Sequence, residues 1–423
     1  MTHLLLAAFA LAAPVPKDVV PSADWKEFRG PDGVGHYTGP AVPVTWGPDT
    51  NVAWKTPIPG KGWSSPILLQ GKLYLTTAVP KSEDKKPDYE LRAICVDAAS
   101  GTIDWNELVF TQDAKSAPNI HGKNSHASPS AVTDGERVYF HFGHMGTAAY
   151  DLKGKQVWAT QKYPYKPVHG GGGSPVLAQG KLIVACDGAD NPFVLALNTK
   201  DGSEAWKVSR DNAKSPKKFS FTTAQVIELN KKKVVVSQGA DVVAAYDVAD
   251  GKEVWRATFP TNGYSCICRP VMAGGLLVIS TGYDTPQLLA IDPTGSGDVT
   301  KTHIKWTRPK NAPNTPTGVA VGDELYTVSD KGVMSCLDAK TGKVYWEEKV
   351  KGNGFSASLV VVNGKIYLTS EDGKGSVVTP GTNALEAEDA GDLREKTFAT
   401  PLPAHGALYL RTEGKLYKFA TKK

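Results

Sequence analysis

A segment that ends in tryptophan recurs along this chain about every 50 residues, and a fixed period of that length is the signature of a repeat fold. Five copies share an apolar stretch, an Asp or Asn, a turn containing Gly, and a Trp four residues after that Gly. They are Cys95-Val96-Asp97 with Gly101 and Trp105, Ala149-Tyr150-Asp151 with Gly154 and Trp158, Ala196-Leu197-Asn198 with Gly202 and Trp206, Ala245-Tyr246-Asp247 with Gly251 and Trp255, and Cys336-Leu337-Asp338 with Gly342 and Trp346. A sixth, Ala290-Ile291-Asp292 to Trp306, has a longer turn; Trp54 ends a strand without such a hairpin, and Phe398 stands where the last Trp is due. Eight landmarks imply eight units.

Each unit also opens alike. A Ser-Pro or equivalent pair (Ser65-Pro66, Ser128-Pro129, Ser174-Pro175, Arg269-Pro270, Thr315-Pro316) leads a strand, and a second strand follows a polar turn, as in Gly71-Lys72-Leu73-Tyr74-Leu75. Alternating β-branched and aromatic residues bounded by Gly and Asp are strand and hairpin signals. Four antiparallel strands per unit, repeated eight times, predict an all-β, eight-bladed β-propeller of radial four-stranded sheets. The Trp, on the outer strand, is expected to fill the wedge between neighbouring blades, contributing about 2–3 kcal/mol on burial; Phe398 is expected to fill its wedge less well. The last segment supplies only the first strands of a unit, so Asn51 to Thr56 with Trp54 is expected to complete blade eight and remove the open edge.

The N-terminus reads as an export signal over residues 1–12: Leu4 to Ala13 is a short apolar region and Ala10-Leu11-Ala12 has the A-x-A form of a cleavage site, leaving Ala13 as the first mature residue. Residues 13–50 form an extension packing on the propeller of residues 51–423. No apolar run is long enough to span a bilayer, so the mature chain is expected in the periplasm or outside the cell, as a monomer. A net charge of +5 spread over the chain gives no footprint for nucleic acid. Lys85-Lys86 and Lys231-Lys232-Lys233 read as solvated hairpin tips.

The Ala/Cys-x-Asp/Asn, Gly, Trp pattern resembles the pyrroloquinoline-quinone (PQQ) enzyme-type repeat over nearly all of the mature chain. With Trp25-Lys26-Glu27-Phe28-Arg29-Gly30-Pro31-Asp32-Gly33 and Gly62-Trp63-Ser64-Ser65-Pro66, it is most similar to short BamB-like propellers of planctomycete-type bacteria. The resemblance implies the fold. It is nearly silent on activity, since one blade type serves dehydrogenases, scaffolds and sensors. Quinone enzymes of this type hold PQQ on the axis with a Ca²⁺ and an Asp base, and many carry a disulfide between adjacent cysteines. Here Cys266 and Cys268 are separated by Ile267, and no Cys-x-x-Cys-His haem site exists, so neither PQQ with Ca²⁺ nor another cofactor is expected. Cys95 and Cys336 take the place of Ala149, Ala196, Ala245 and Ala290 as small apolar side chains, and Cys186 does likewise within its strand.

His121, His126, His141, His144 and His169 fall within blades two and three. His126 and His169 lie in loops that enter innermost strands, as does Arg269 in blade five; His405 in blade eight and Lys217, Lys218, Phe219 and Ser220 in blade four complete a candidate funnel with Ser128 and Ser174. Such a funnel suits an anionic or polyhydroxylated ligand; the opposing reading is solvated or hydrogen-bonded loop residues. No metal-ligand spacing supports a metal there, and Gly170 to Gly173 lack the Lys-Ser/Thr ending of a phosphate loop. The expectation is therefore a non-catalytic exported propeller that binds a protein, polysaccharide or small polar ligand at its axial mouth. The alternatives are a quinoprotein oxidoreductase or a carbohydrate-active enzyme using the His/Arg cluster.

Overall fold

The repeat sequence folds, in a computed structural model that describes residues 24–210, 217–259 and 263–421, as eight antiparallel sheets around one axis. The expected leader at residues 1–12 lies outside these residues. Blades one to seven occupy residues 67–112, 132–160, 176–209, 225–258, 271–308, 319–349 and 360–392. Blade eight combines Leu402–Ala404, Ala407–Arg411 and Lys415–Ala420 with the N-terminal strand Val52–Pro57, which pairs antiparallel with Lys415–Ala420 and closes the ring. The fold is thus an all-β eight-bladed propeller.

The third-to-fourth hairpin explains the repeat motif. In blade one, Asp97 Oδ1 accepts the amides of Ala99 (3.0 Å) and Ser100 (2.7 Å), and Gly101 takes φ +78° to let the chain return. Asp104 is then bulged, with Ile103 opposite Val96 and Trp105 opposite Cys95. The same register shift precedes the tryptophan in blades two to six and at Trp54; it twists the strand end and re-aims the side chain. Trp54, Trp105, Trp158, Trp206 and Trp306 then cover the turn glycine of the next blade, as Trp105 does over Gly154 and Trp206 over Gly251. Indole N–H groups also donate to carbonyls of the next blade: Trp54 to Ala98 (3.2 Å), Trp158 to Thr199 (2.9 Å), Trp206 to Val248 (3.0 Å), Trp306 to Ala339 (3.0 Å) and Trp346 to Gly381 (2.8 Å). Trp255 is fully buried instead under Gly297–Asp298, the long turn of blade five, which adds a fifth, parallel strand to blade four.

Blade seven departs from the expectation. Phe398 lies beyond its outer strand, Glu386–Asp392, and packs at a tilt against Trp63 beside the axis, 4.4 Å between ring centroids. The tryptophan row, which runs Tyr326, Cys336, Trp346 in blade six, runs Tyr367, Val377, Glu388 in blade seven. The aromatic partner of Tyr367 is Trp46 from the N-terminal extension, stacked at 5.8 Å. Gly375 and Gly391 leave room for it, since a Cβ on either would meet Trp46 within 2.3 Å.

The extension also closes one end of the axial channel. Trp25 exchanges backbone hydrogen bonds with Leu68 of blade one (2.9 and 2.8 Å), Thr133 of blade two donates to Lys26 O, and Val361 of blade seven donates to Gly35 O. Gln225 of blade four reaches Asp32 O at 2.8 Å. Arg29, 1% exposed, donates to Thr317 O (3.0 Å) and Gly318 O (2.8 Å) of blade six, and burial brings its pKa down to about 9. Residues 25–35 therefore form a plug seated against blades one, two, four, six and seven.

Candidate functional site

Opposite the plug, the axial mouth opens into a cavity of about 630 Å³ lined by residues from all eight blades, with Phe28 of the plug among them. At its base lies a ring. Two residues before each innermost strand stand Ser65, Ser130, Ser174, Thr223, Arg269, Thr317, Ser358 and Thr400. Each hydroxyl accepts the backbone N–H of the equivalent residue in the preceding blade: Ser65 N to Ser130 Oγ (2.9 Å), Ser130 N to Ser174 Oγ (2.9 Å), Ser174 N to Thr223 Oγ1 (2.9 Å), Arg269 N to Thr317 Oγ1 (2.9 Å), Thr317 N to Ser358 Oγ (3.3 Å), Ser358 N to Thr400 Oγ1 (3.0 Å) and Thr400 N to Ser65 Oγ (2.9 Å). A hydroxyl that accepts one amide retains its own hydrogen and a second lone pair. The ring thus ties blade to blade and edges the cavity floor with hydroxyls.

Arg269 breaks the ring. Its guanidinium points into the plug, where it donates to Phe28 O (2.7 Å) and pairs with Glu27 (3.0 Å). Burial pushes the Glu27 carboxyl above its ordinary range against the pull of Arg269. Gly33 is obligatory beside it, because a Cβ there would lie 2.0 Å from the guanidinium carbon.

Above the floor the walls alternate in character. Trp63 and Phe398, entering blades one and eight, form one aromatic wall; Phe219, Phe221 and Tyr264, entering blades four and five, form another on the opposite side of the ring. Lys217 sits over the Tyr264 ring at 4.3 Å and donates to its hydroxyl at 2.7 Å, and that hydroxyl donates to Asp284 at 2.8 Å. The bond to Tyr264 raises the Lys217 pKa. Between the aromatic walls lie Asn124 and Ser128 at blade two, facing Asn314 and Thr315 at blade six.

The connection from blade one to blade two, residues 113–131, reaches across the mouth. Ile120 bridges to His169, and Asn124 donates to His169 O at 2.8 Å. Lys123 meets Glu371 of blade seven at 2.7 Å and Asp330 of blade six at 3.7 Å. Asp330 also accepts from Asn314 N (2.7 Å) and Thr315 Oγ1 (2.6 Å), and Glu371 from Ser356 Oγ (2.6 Å).

The sequence-derived candidates divide accordingly. Ser128, Ser174, His169 and Lys217 line the cavity, together with His121, whose ring stands 5.7 Å from that of His169. Arg269 faces the plug and not the mouth, because Glu27 and a backbone carbonyl await it there. His126 turns away and packs on Tyr89 at 4.4 Å. His405 lies at the opposite end of blade eight, in the exposed turn between Leu402–Ala404 and Ala407–Arg411, beside Pro40. His141 and His144 are covered behind the cavity; burial takes His126, His141 and His144 each down to about 4. Sequence reasoning found Phe219 but missed the rest of the aromatic walls and most of the ring. The Ser-Pro pairs point to Ser128 and Thr315, whereas Ser130 and Thr317 hold the ring positions; counting back from each first strand finds them.

A protein-family model described as outer membrane protein assembly factor BamB matches residues 37–164, 166–320 and 305–422. The chain belongs to that family. BamB of Shewanella oneidensis is 25% identical over 377 residues, covering 81% of this chain and 84% of that protein. The crystal structure of BamB from Moraxella catarrhalis superposes with a TM-score of 0.58 at 13% identity, over 88% of this chain and 99% of that one. A europium-containing methanol dehydrogenase gives 0.68 at 10% identity, over 94% and 98%. At such identities the structural likeness concerns the propeller fold. The kinship with planctomycete-type bacteria finds no support among these relatives.

Membership of the BamB family leaves the quinone question to the residues. PQQ carries three carboxylates and, with its Ca²⁺, needs cations and free carboxylates at the axis. In this BamB-family chain Arg269 is committed to the plug, Lys123 to Glu371, and Asp330 to Asn314, Thr315 and Lys123. Among the described residues no group of three His, Cys, Asp or Glu side chains is arranged to hold a metal ion. The donor set does not fit the group. All five cysteines are buried and unpaired.

Proposed function

We propose that this protein is a non-catalytic exported propeller, periplasmic or extracellular, that seats a polar partner in its axial cavity: a small ligand, a polysaccharide, or a segment of another protein. The observation that carries this reading is the cavity itself. It is concave, built from every blade, closed below by the plug, and furnished with both apolar walls and convergent polar groups, which is the composition of binding sites in general. The carboxylates and cations around it are tied to structural partners, so among the described residues no acid–base pair is positioned as the carbohydrate-active alternative would need. The names of its relatives, assembly factors for outer membrane proteins, favour a partner in the cell envelope. Within the described residues no helix is long and apolar enough to cross a membrane.

The test is a thermal-shift screen of the purified chain against small molecules and peptides, with Ser128→Trp as a variant whose cavity is filled. A ligand at about 100 times its Kd stabilises by roughly 2.7 kcal/mol. Ligands that raise the Tm of the wild type and not of the variant support the reading. Equal stabilisation of both places the site elsewhere, and dye-linked oxidation after adding PQQ and Ca²⁺ overturns the non-catalytic assignment.

A further inference from the structure

We infer that the axial cavity takes a neutral saccharide, a pyranose ring presented alone or as the end of a chain. This rests on the cavity being the binding site proposed above, and it adds the chemical class.

Charge disfavours an anion. An anionic ligand in a pocket this enclosed requires uncompensated cations, because removing its charge from water costs several kcal/mol unless it is paired. Arg269, which takes a position in the ring itself, is turned into the plug and paired with Glu27. Lys123 is held by Glu371 and Asp330, and Lys217 by the Tyr264 hydroxyl, itself bonded to Asp284. Lys123 and Lys217 thus stand beside three carboxylates, Glu371, Asp330 and Asp284, and the pocket carries no excess of positive charge.

Shape selects among neutral ligands. The aromatic side chains are gathered at blades eight and one and again at blades four and five, which face each other across an eight-fold ring. The hydrogen-bonding side chains lie on the sectors between, at blades two and three and at blades six and seven. A ligand matched to that pattern is a disc with apolar faces and a polar edge. A pyranose with equatorial hydroxyls has this form: its axial C–H bonds present a weakly positive face to the negative face of an aromatic ring, while its hydroxyls radiate in the plane of the ring. Toward the floor, the seven hydroxyls that each accept one amide still have a donor hydrogen and a lone pair, the mixed character that a sugar hydroxyl requires of its partner. A flat apolar ligand would leave these polar sectors unmatched, and such mismatches are heavily penalised.

The experiment titrates the full chain with two probe sets, followed by tryptophan fluorescence (Trp63 lies in the cavity wall) and by saturation-transfer NMR. The neutral set is glucose, mannose, N-acetylglucosamine, maltose and cellobiose; the anionic set is glucuronate, inorganic phosphate and PQQ. At least one neutral sugar is expected to bind, with transfer strongest at its ring C–H protons. Its affinity should change less than about twofold as salt rises, since few charges are involved. Phe398→Ala and Phe219→Ala should weaken it roughly tenfold, the order of one aromatic contact, while Phe398→Tyr should retain it and show that the aromatic face matters rather than the fold. Binding confined to the anionic set, or sugar binding indifferent to both alanine substitutions, overturns the assignment. So does failure of the whole neutral set. The binding reading itself stands or falls separately, because a non-sugar ligand displaced by Ser128→Trp would sustain it and refute only the saccharide.

Discussion

Trp206 illustrates how much one side chain can do between blades. It is 6% exposed, covers Gly251, and donates its indole N–H to Val248 O at 3.0 Å. Trp206→Ala should cost about 3–5 kcal/mol, and Trp206→Phe should cost less because it retains most of the buried area; urea denaturation measures both. The buried histidines make a different prediction. His126, His141 and His144 are held near 4 by burial, against about 6.5 in an unfolded chain. Between those values the unfolded chain binds protons that the folded one does not. The stability involved is whole above pH about 6.5 and is lost as pH falls toward 4, at up to about 1.4 kcal/mol per pH unit per histidine. His144, both of whose ring nitrogens are buried without a partner, is the informative one. His144→Leu should flatten the fall in urea midpoint between pH 7 and 4.5, and an unchanged slope would show that other groups govern it.

At the scale of the element, the plug is the part most sensitive to a single atom. Gly33 has φ +65° and no space for a Cβ, so Gly33→Ala should cost about 1–3 kcal/mol and expose residues 25–35 to protease before the blades are cut. The buried ion pair of Arg210 with Asp187, between blades three and four, gives a second expectation. Asp187→Ala leaves a buried guanidinium without its charge partner and should cost about 3–5 kcal/mol, seen as a lower Tm. What could be read in the sequence follows the same division. Hairpins are local, so the Asp, Gly and Trp spacing disclosed the blades, their number and the closing strand. Phe398 misled because spacing alone cannot distinguish an outer strand from the loop after it, and the true row residue, Glu388, bears no aromatic mark. Arg269 and His126 sit in the right loops, but the direction of a side chain depends on what it meets. For Arg269 that was Glu27, 242 residues away. The path of residues 113–131 was illegible for that reason too, being set by Glu371 and Asp330 on the far side of the ring.

For the whole molecule, closure depends on two short strands from opposite ends of the chain. Removing residues after Arg411 deletes Lys415–Ala420, strands Val52–Pro57 without its partner, and exposes unpaired edges. Such a truncation should elute as aggregate in size-exclusion chromatography, whereas deleting residues 1–35 should leave a closed monomeric ring with an unplugged axis. The placement of the plug and the closing strand also has a consequence in time. Both are synthesised before any complete blade, yet their partners include Thr317 and Lys418, made only after five and seven blades. The hydroxyl ring likewise completes itself only when Thr400 reaches Ser65, 335 residues earlier. The N-terminal segment must therefore wait through the assembly of the blades before it docks, and refolding should show a final slow step, reported by Trp25 and Trp46, after most of the β-structure has formed.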